Sequence, residues 1–166
     1  MAGEHSLTRA LRDLLSRRRT GALGTVGEDG LPFVSLVPYA IDTDSGSLVI
    51  HISGLAAHTR NLERCADASL MVSEHEPEDG SPVHALPRLT LQVRATTPAQ
   101  PSPAHTTARS SYLDRFPDAA PMTELGDFRF VTLTITGARQ VAGFGAARSL
   151  GAREVIDAIK RTAPAA

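Results

Sequence analysis

Apolar residues return every three or four positions between Ser6 and Arg19. Leu7, Ala10, Leu11, Leu14 and Leu15 fall on one side, and Arg9, Arg12, Asp13, Arg17, Arg18 and Arg19 take the remaining positions. This spacing predicts an amphipathic opening helix over residues 6–19. Beyond Thr20 the texture changes to short β-prone runs, Gly21 to Val26, Leu31 to Ile41 and Ser47 to Ser53, separated by Gly27-Glu-Asp-Gly30 and Asp42-Thr-Asp-Ser-Gly46. The Asp29-Gly30 and Ser45-Gly46 pairs tolerate the positive φ that tight hairpins demand, so the segment reads as an antiparallel meander. A helical interruption follows at about Ala57 to Arg64. Strands at Ala68 to Ser73 and Leu86 to Thr96 come next, with the polar, breaker-rich His75–Pro82 between them as an exposed loop. Thr97-Pro-Ala-Gln-Pro-Ser-Pro103 opens a helical insertion over about 104–124, carrying Tyr112, Leu113 and Phe116. Strands resume at Phe128 to Thr136 and, after a turn at Gly137, at Ala138 to Ala142. A last helix over about 152–161 places Val155, Ile156 and Ile159 on one side. Six or seven β-runs with helices at both ends predict a mainly β fold, a closed or half-closed barrel over about 20–145 in one domain spanning 1–166. Pattern alone leaves a sandwich with flanking helices open.

Charge narrows the partners. Lys plus Arg number 17 against 18 Asp plus Glu, a net charge of -1, so no bulk field draws the molecule to nucleic acid or an anionic membrane. Any anion site must be local. Arg17-Arg18-Arg19 reads as cations meeting the dipole of the opening helix at its C-terminus. No apolar run approaches the roughly eighteen residues of a membrane span, and no basic segment followed by an apolar run opens the chain, so the expected location is cytoplasmic. The single cysteine, Cys65, excludes an intramolecular disulfide and any CxxC pair, and reads as a thiol buried on a helix.

The histidines show no HxxxH or HxH spacing, so no preformed metal site is expected. Haem needs only one axial ligand and is not excluded on that ground. His84, and Gly143-Phe-Gly145 with Arg148, are the segments where a haem contact would be sought. The plain alternatives are a solvent-exposed loop histidine at His84 and a tightly packed turn at the two glycines. Ser110 and Ser111 lack a GxSxG elbow, which leaves a hydrolase triad without support.

One segment carries more specific chemistry. In the Ser47–Ser53 run, Val49, His51 and Ser53 share one face and Leu48, Ile50 and Ile52 the other. Ser53 ends the strand beside Gly54, and the chain enters a helix at about His58. Unpaired N–H groups, the Thr59 hydroxyl and the His58 ring then converge where the helix dipole favours an anion. The competing reading makes Thr59 or His58 a helix cap.

Four motifs in order bear on that choice: Gly24-Thr-Val-Gly-Glu-Asp-Gly-Leu-Pro-Phe-Val-Ser-Leu-Val-Pro38, Ser53-Gly-Leu-Ala-Ala-His-Thr-Arg-Asn-Leu62, Leu86-Pro-Arg-Leu-Thr-Leu91 and Gly143-Phe-Gly145. Together they resemble the pyridoxamine-phosphate-oxidase-related FMN-binding split barrels, and more closely their haem-utilisation branch. The resemblance implies a six-stranded antiparallel Greek-key split β-barrel working as a homodimer, with a small-molecule cofactor in clefts at the subunit interface. By motif position it places Ser53, His58, Thr59 and Asn61 at the phosphate of FMN. Ser35, Leu36 and Val37 fall along the flavin ring, and Arg88 and Thr90 on a strand that approaches it. The chain departs from the oxidase proper, which has Arg at the position of Ser35 and Lys at that of His58. A neutral histidine offers one hydrogen bond where lysine offers three and a charge. The residues specific for pyridoxal phosphate have no match either. The implied function is an FMN-binding, flavin-dependent oxidoreductase that is not a vitamin B6 oxidase. The alternatives are a haem-binding or haem-utilisation protein using the same dimer cleft, and a catalytically silent ligand-binding barrel.

Overall fold

The computed structural model describes residues 2–161, with side chains from residue 6 onward. Its elements run α1 (Ala2–Arg17), β1 (Thr20–Val26), β2 (Pro32–Pro38), β3 (Ala40–Asp42), β4 (Ser47–Ser53), α2 (Ala57–Arg64), β5 (Asp67–Ser73), β6 (Arg88–Thr96), α3 (Pro103–Arg115), β7 (Phe128–Val141), β8 (Ala147–Gly151) and α4 (Ala152–Lys160). Short 3-10 segments stand at Val83–Ala85 and Pro117–Glu124.

All strand pairs are antiparallel, in the order β2-β1-β5-β6-β7-β4-β3, with β8 added to β7. The two ends of this path are one piece of chain, because β2 runs into β3 through Tyr39. Counted as one bent strand, β2–β3 bonds β1 on one side and β4 on the other, so six strands close on themselves. This meets the six-strand expectation, and closure leaves those strands no free edge. The β4-to-β5 connection passes through α2 and makes the barrel a Greek key rather than a simple meander.

Alternation sorts the side chains as each strand's period of two requires. Leu23, Val37, Leu48, Ile50, Leu70, Leu89, Leu91 and Leu133 fill the barrel, together with Leu11, Leu14 and Leu15 of α1 and Val155 and Ile159 of α4. A second cluster lies outside the barrel, where Ala108 and Tyr112 of α3 cover Ala40, Val49 and Phe130. Strand β4 is therefore buried on both faces, with Leu48, Ile50 and Ile52 inward and Val49 and His51 toward α3.

Three sequence expectations need correction. The opening helix ends at Arg17, and the Arg19 carbonyl instead accepts the Tyr39 N–H at 3.1 Å. The C-terminal carbonyls of α1 are met from outside the helix. Tyr39 Oη donates to the Leu15 carbonyl at 2.8 Å, and the Arg115 guanidinium reaches the carbonyls of Leu15, Ser16 and Arg18. Gly137 is not a turn. Strand β7 runs through it for 14 residues, and the close approach of Gln92, whose Oε1 would stand 2.7 Å from a Cβ there, is what glycine accommodates beside the register shift in β6. Cys65 follows α2 as its C-cap and is half-buried, its Sγ near the Asp67 carbonyl.

Candidate functional site

The turn from β4 into α2 is pinned by its own polar groups. The Gly54 N–H donates to the Asp127 carbonyl, and Ser53 Oγ donates to Asp127 Oδ2 at 3.1 Å while accepting the Leu55 N–H at 3.2 Å. Thr59, 2% exposed, donates its hydroxyl proton to the Ser53 carbonyl at 2.6 Å. Asn61 is buried and donates to Thr25 Oγ1 at 3.0 Å. No side chain caps α2, whose N-cap is Ala56, so neither His58 nor Thr59 plays that part. The N–H groups of Ala57 and His58 then lack intrahelical acceptors.

His58 is half-buried, and its Nδ1 lies 2.9 Å from Ser35 Oγ. Burial lowers its pKa from 6.5, so the ring is neutral at neutral pH. The expected phosphate residues thus gather around the start of α2, but they assemble no positive charge. A carboxylate, Asp127, stands among them. Arg129, which sequence reasoning missed, borders the turn closely enough to meet a Cβ on Gly54 at 2.8 Å, yet its charge is matched by Glu63 at 2.5 Å. Its signal in the sequence is weak, one arginine between two phenylalanines at the start of β7.

Alternation separates the ring-lining candidates. Leu36 points outward and is 73% exposed, whereas the Val37 side chain belongs to the barrel core and offers the cleft only its backbone.

A second group forms on the outer face of β6, β7 and β8. Arg88 and Thr90, with His84 from the 3-10 turn before β6, line a cavity of about 500 Å³ shared with Arg139, Val141, Gly143, Phe144, Gly145 and Ala147. Gly143 and Gly145 take φ of 155° and 75°, which builds the hairpin between β7 and β8 and holds Phe144 outward, 87% exposed. The turn and the ligand-facing reading of this segment are therefore compatible. Arg148 is corrected. It lies on the face of β8 opposite Ala147, donating to Gln140 Oε1 at 2.8 Å and pairing with Glu154 at 3.0 Å. Arg139 escaped the sequence reading because only the register Thr90↔Arg139 places it here. Among the described residues, no group of three or more His, Cys, Asp or Glu forms a metal site.

The two groups occupy different faces of one barrel. Ser35 turns to the α2 end, while Arg88 and Thr90 face outward, and no residue of the α2 group lines the β6–β8 cavity. Between them, in the register Leu36↔Ala22↔Met71↔Thr90, runs a sheet face that exposes the apolar side chains of Val34 (66% exposed), Leu36 and Met71, bordered by the exposed polar Gln92.

Comparison with known proteins adds four likenesses. The family model for pyridoxamine 5'-phosphate oxidase matches residues 7–142. The chain is 32% identical over 139 residues to the non-canonical haem oxygenase HOZ, chloroplastic, of Arabidopsis thaliana, covering 82% of this chain and 40% of that protein. It is 29% identical over 148 residues to haem oxygenase HutZ of Vibrio cholerae, covering 89% and 82%. Among solved structures, a haem-binding protein from Mycobacterium smegmatis superposes with TM-score 0.81 at 26% identity, covering 91% of this chain and 60% of that one. The chain thus spans less than two thirds of the Arabidopsis and mycobacterial proteins.

Proposed function

From the premise that this chain belongs to the pyridoxamine 5'-phosphate oxidase family, we propose that it is a haem-binding member whose flavin cleft takes a tetrapyrrole instead. The observation that carries this reading is the neutral Ser35–His58 pair at the start of α2. A phosphate there would find amide N–H groups but no cation from Ser35 or His58. The nearby guanidinium groups are those of Arg60, which donates to the Leu55 carbonyl at 2.7 Å, and of Arg129, which is paired with Glu63, and the phosphate would also find Asp127 bonded to Ser53. The chain's one lysine, Lys160, lies far along the sequence in α4. Charge-assisted contacts are roughly twice as strong as neutral ones, so FMN loses the charge-assisted bond that a lysine at position 58 would make.

The donor set of the β6–β8 cavity fits haem better. It offers one imidazole (His84) for a metal, guanidinium groups and an exposed phenyl ring. Bound haem would supply the iron chemistry, while these residues would bind and orient it. Because the two residue groups lie on different faces, one barrel does not close on a single ligand. The functional unit is accordingly a homodimer joined through the exposed Val34, Leu36 and Met71 face. The names of the relatives make haem degradation the activity to assay.

A second reading, an FMN-dependent oxidoreductase, draws on the family itself and on the open amides of α2. Optical titration separates the two. Haem added to the purified protein should give a saturable, shifted Soret band at one haem per chain, with FMN fluorescence unquenched at the same concentrations. Tight FMN quenching without a Soret shift would restore the flavin reading, and neither signal would leave a silent barrel.

A further inference from the structure

The β6–β8 cavity contains an arrangement that the haem reading does not itself require. Arg88 and Arg139 are diagonal neighbours on one sheet face, since Arg88 pairs with Val141 and Thr90 with Arg139. Such diagonal positions stand roughly 7–8 Å apart. No acidic side chain lines the cavity. Arg88 Nη1 donates to the Leu86 carbonyl at 3.0 Å, and Arg139 Nη1 to Ser149 Oγ at 3.1 Å, and neither belongs to an ion pair among the described residues. The contrast with Arg148 is local and direct. On the opposite face of the adjacent strand, that arginine is matched by Glu154.

Two guanidinium groups on one concave face repel each other unless an anion lies between them, and each keeps unused N–H donors in fork geometry. The exposed Phe144 ring stands at the lip of the same cavity, on a hairpin whose two positive-φ glycines fix its direction. We infer that this cavity is a carboxylate clamp: Arg88 and Arg139 bind the two carboxylates along one edge of a planar conjugated ligand, and Phe144 covers its apolar surface. The inference rests on the haem reading for the ligand's identity, and it names the edge by which that ligand is held.

The test uses iron-free protoporphyrin IX and its dimethyl ester, so that binding does not depend on an iron ligand. Fluorescence titration of the full chain should show the diacid binding at least about tenfold more tightly than the ester, as loss of charge-assisted bonds implies. The Arg88→Gln/Arg139→Gln variant should bind diacid and ester alike. Since Arg88 also holds the loop before β6, the Arg139→Gln variant is measured alone and should lose at least half of the logarithmic preference. Equal binding of diacid and ester by the unaltered chain would overturn the clamp. So would an FMN-over-riboflavin preference that disappears in the double variant, because the arginines would then serve a phosphate. The haem reading stands or falls separately. A Soret shift without ester discrimination keeps haem and removes the clamp, while ester discrimination without a Soret shift keeps the clamp and removes haem.

Discussion

At the scale of the residue, protonation decides what the start of α2 can hold. His58 is neutral because its ring is half-buried, and Ser35 supplies a hydroxyl rather than a counter-charge. Replacing His58 with Lys puts a cation beside the open amides, and FMN affinity should rise by about tenfold while riboflavin affinity stays unchanged. Fluorescence titration with both flavins checks this, and a rise shared by riboflavin would mean that the lysine does not act on the phosphate. His51 offers a second residue-scale test. It is buried, its ring centroid lies 4.5 Å from that of Phe130 and 5.6 Å from that of Tyr112, and its pKa falls below 6.5 through burial first and His105 second. The groups around it are His105 and Tyr112 from α3 and Phe128 and Phe130 from β7. A folded pKa below the unfolded one means that the unfolded chain binds the proton more tightly. The stability His51 contributes is therefore full above about pH 6.5 and declines as pH falls below it. Thermal melts from pH 7.5 to 5 should show a steeper fall for the unaltered chain than for His51→Phe, with His58 contributing the part common to both.

At the scale of the element, the chain shows what a single sequence discloses. Strand β4 and helix α4 are legible because their apolar residues keep the period of the element, and the Gly30 and Gly46 turns because glycine there takes φ of 77° and 74°. The split placed at Gly137 fails because glycine marks close backbone approach as readily as a turn, and only the pairing with Gln92 tells which applies. The end of α1 is equally non-local, because Arg115, some 100 residues onward, binds its last carbonyls. Replacing Arg115 with Ala takes the guanidinium donors from the Ser16 and Arg18 carbonyls, leaving Leu15 to Tyr39, and should lower unfolding free energy by about 2 kcal/mol. Urea denaturation would measure it, and an unchanged midpoint would return the helix end to solvent. Tyr112 joins α3 to the outer face of β4 and β7. Its replacement by Ala opens a cavity and should cost about 3–5 kcal/mol in the same assay.

At the scale of the whole molecule, the α2 group and the β6–β8 cavity lie on different faces of one copy, and a sheet face with the exposed apolar side chains of Val34, Leu36 and Met71 lies between them. A glutamate in place of Leu36 puts a charge in the middle of that face. Light scattering should then report a monomer where the proposal expects the unaltered chain to be a dimer, and haem affinity should fall with it. A dimer that survives Leu36→Glu would move the interface elsewhere. Little of this scale was legible beforehand, because the α2 cluster and the β6–β8 cavity come from distant stretches that only strand register places. The family motifs marked Arg88 and Thr90, and the register adds Arg139 beside them. The account as a whole comes down to which cofactor the unaltered chain prefers. Equilibrium dialysis of the purified protein against equimolar haem and FMN measures that preference directly. The account predicts haem retained at one per chain with FMN left in the dialysate, and FMN retained in place of haem would contradict it.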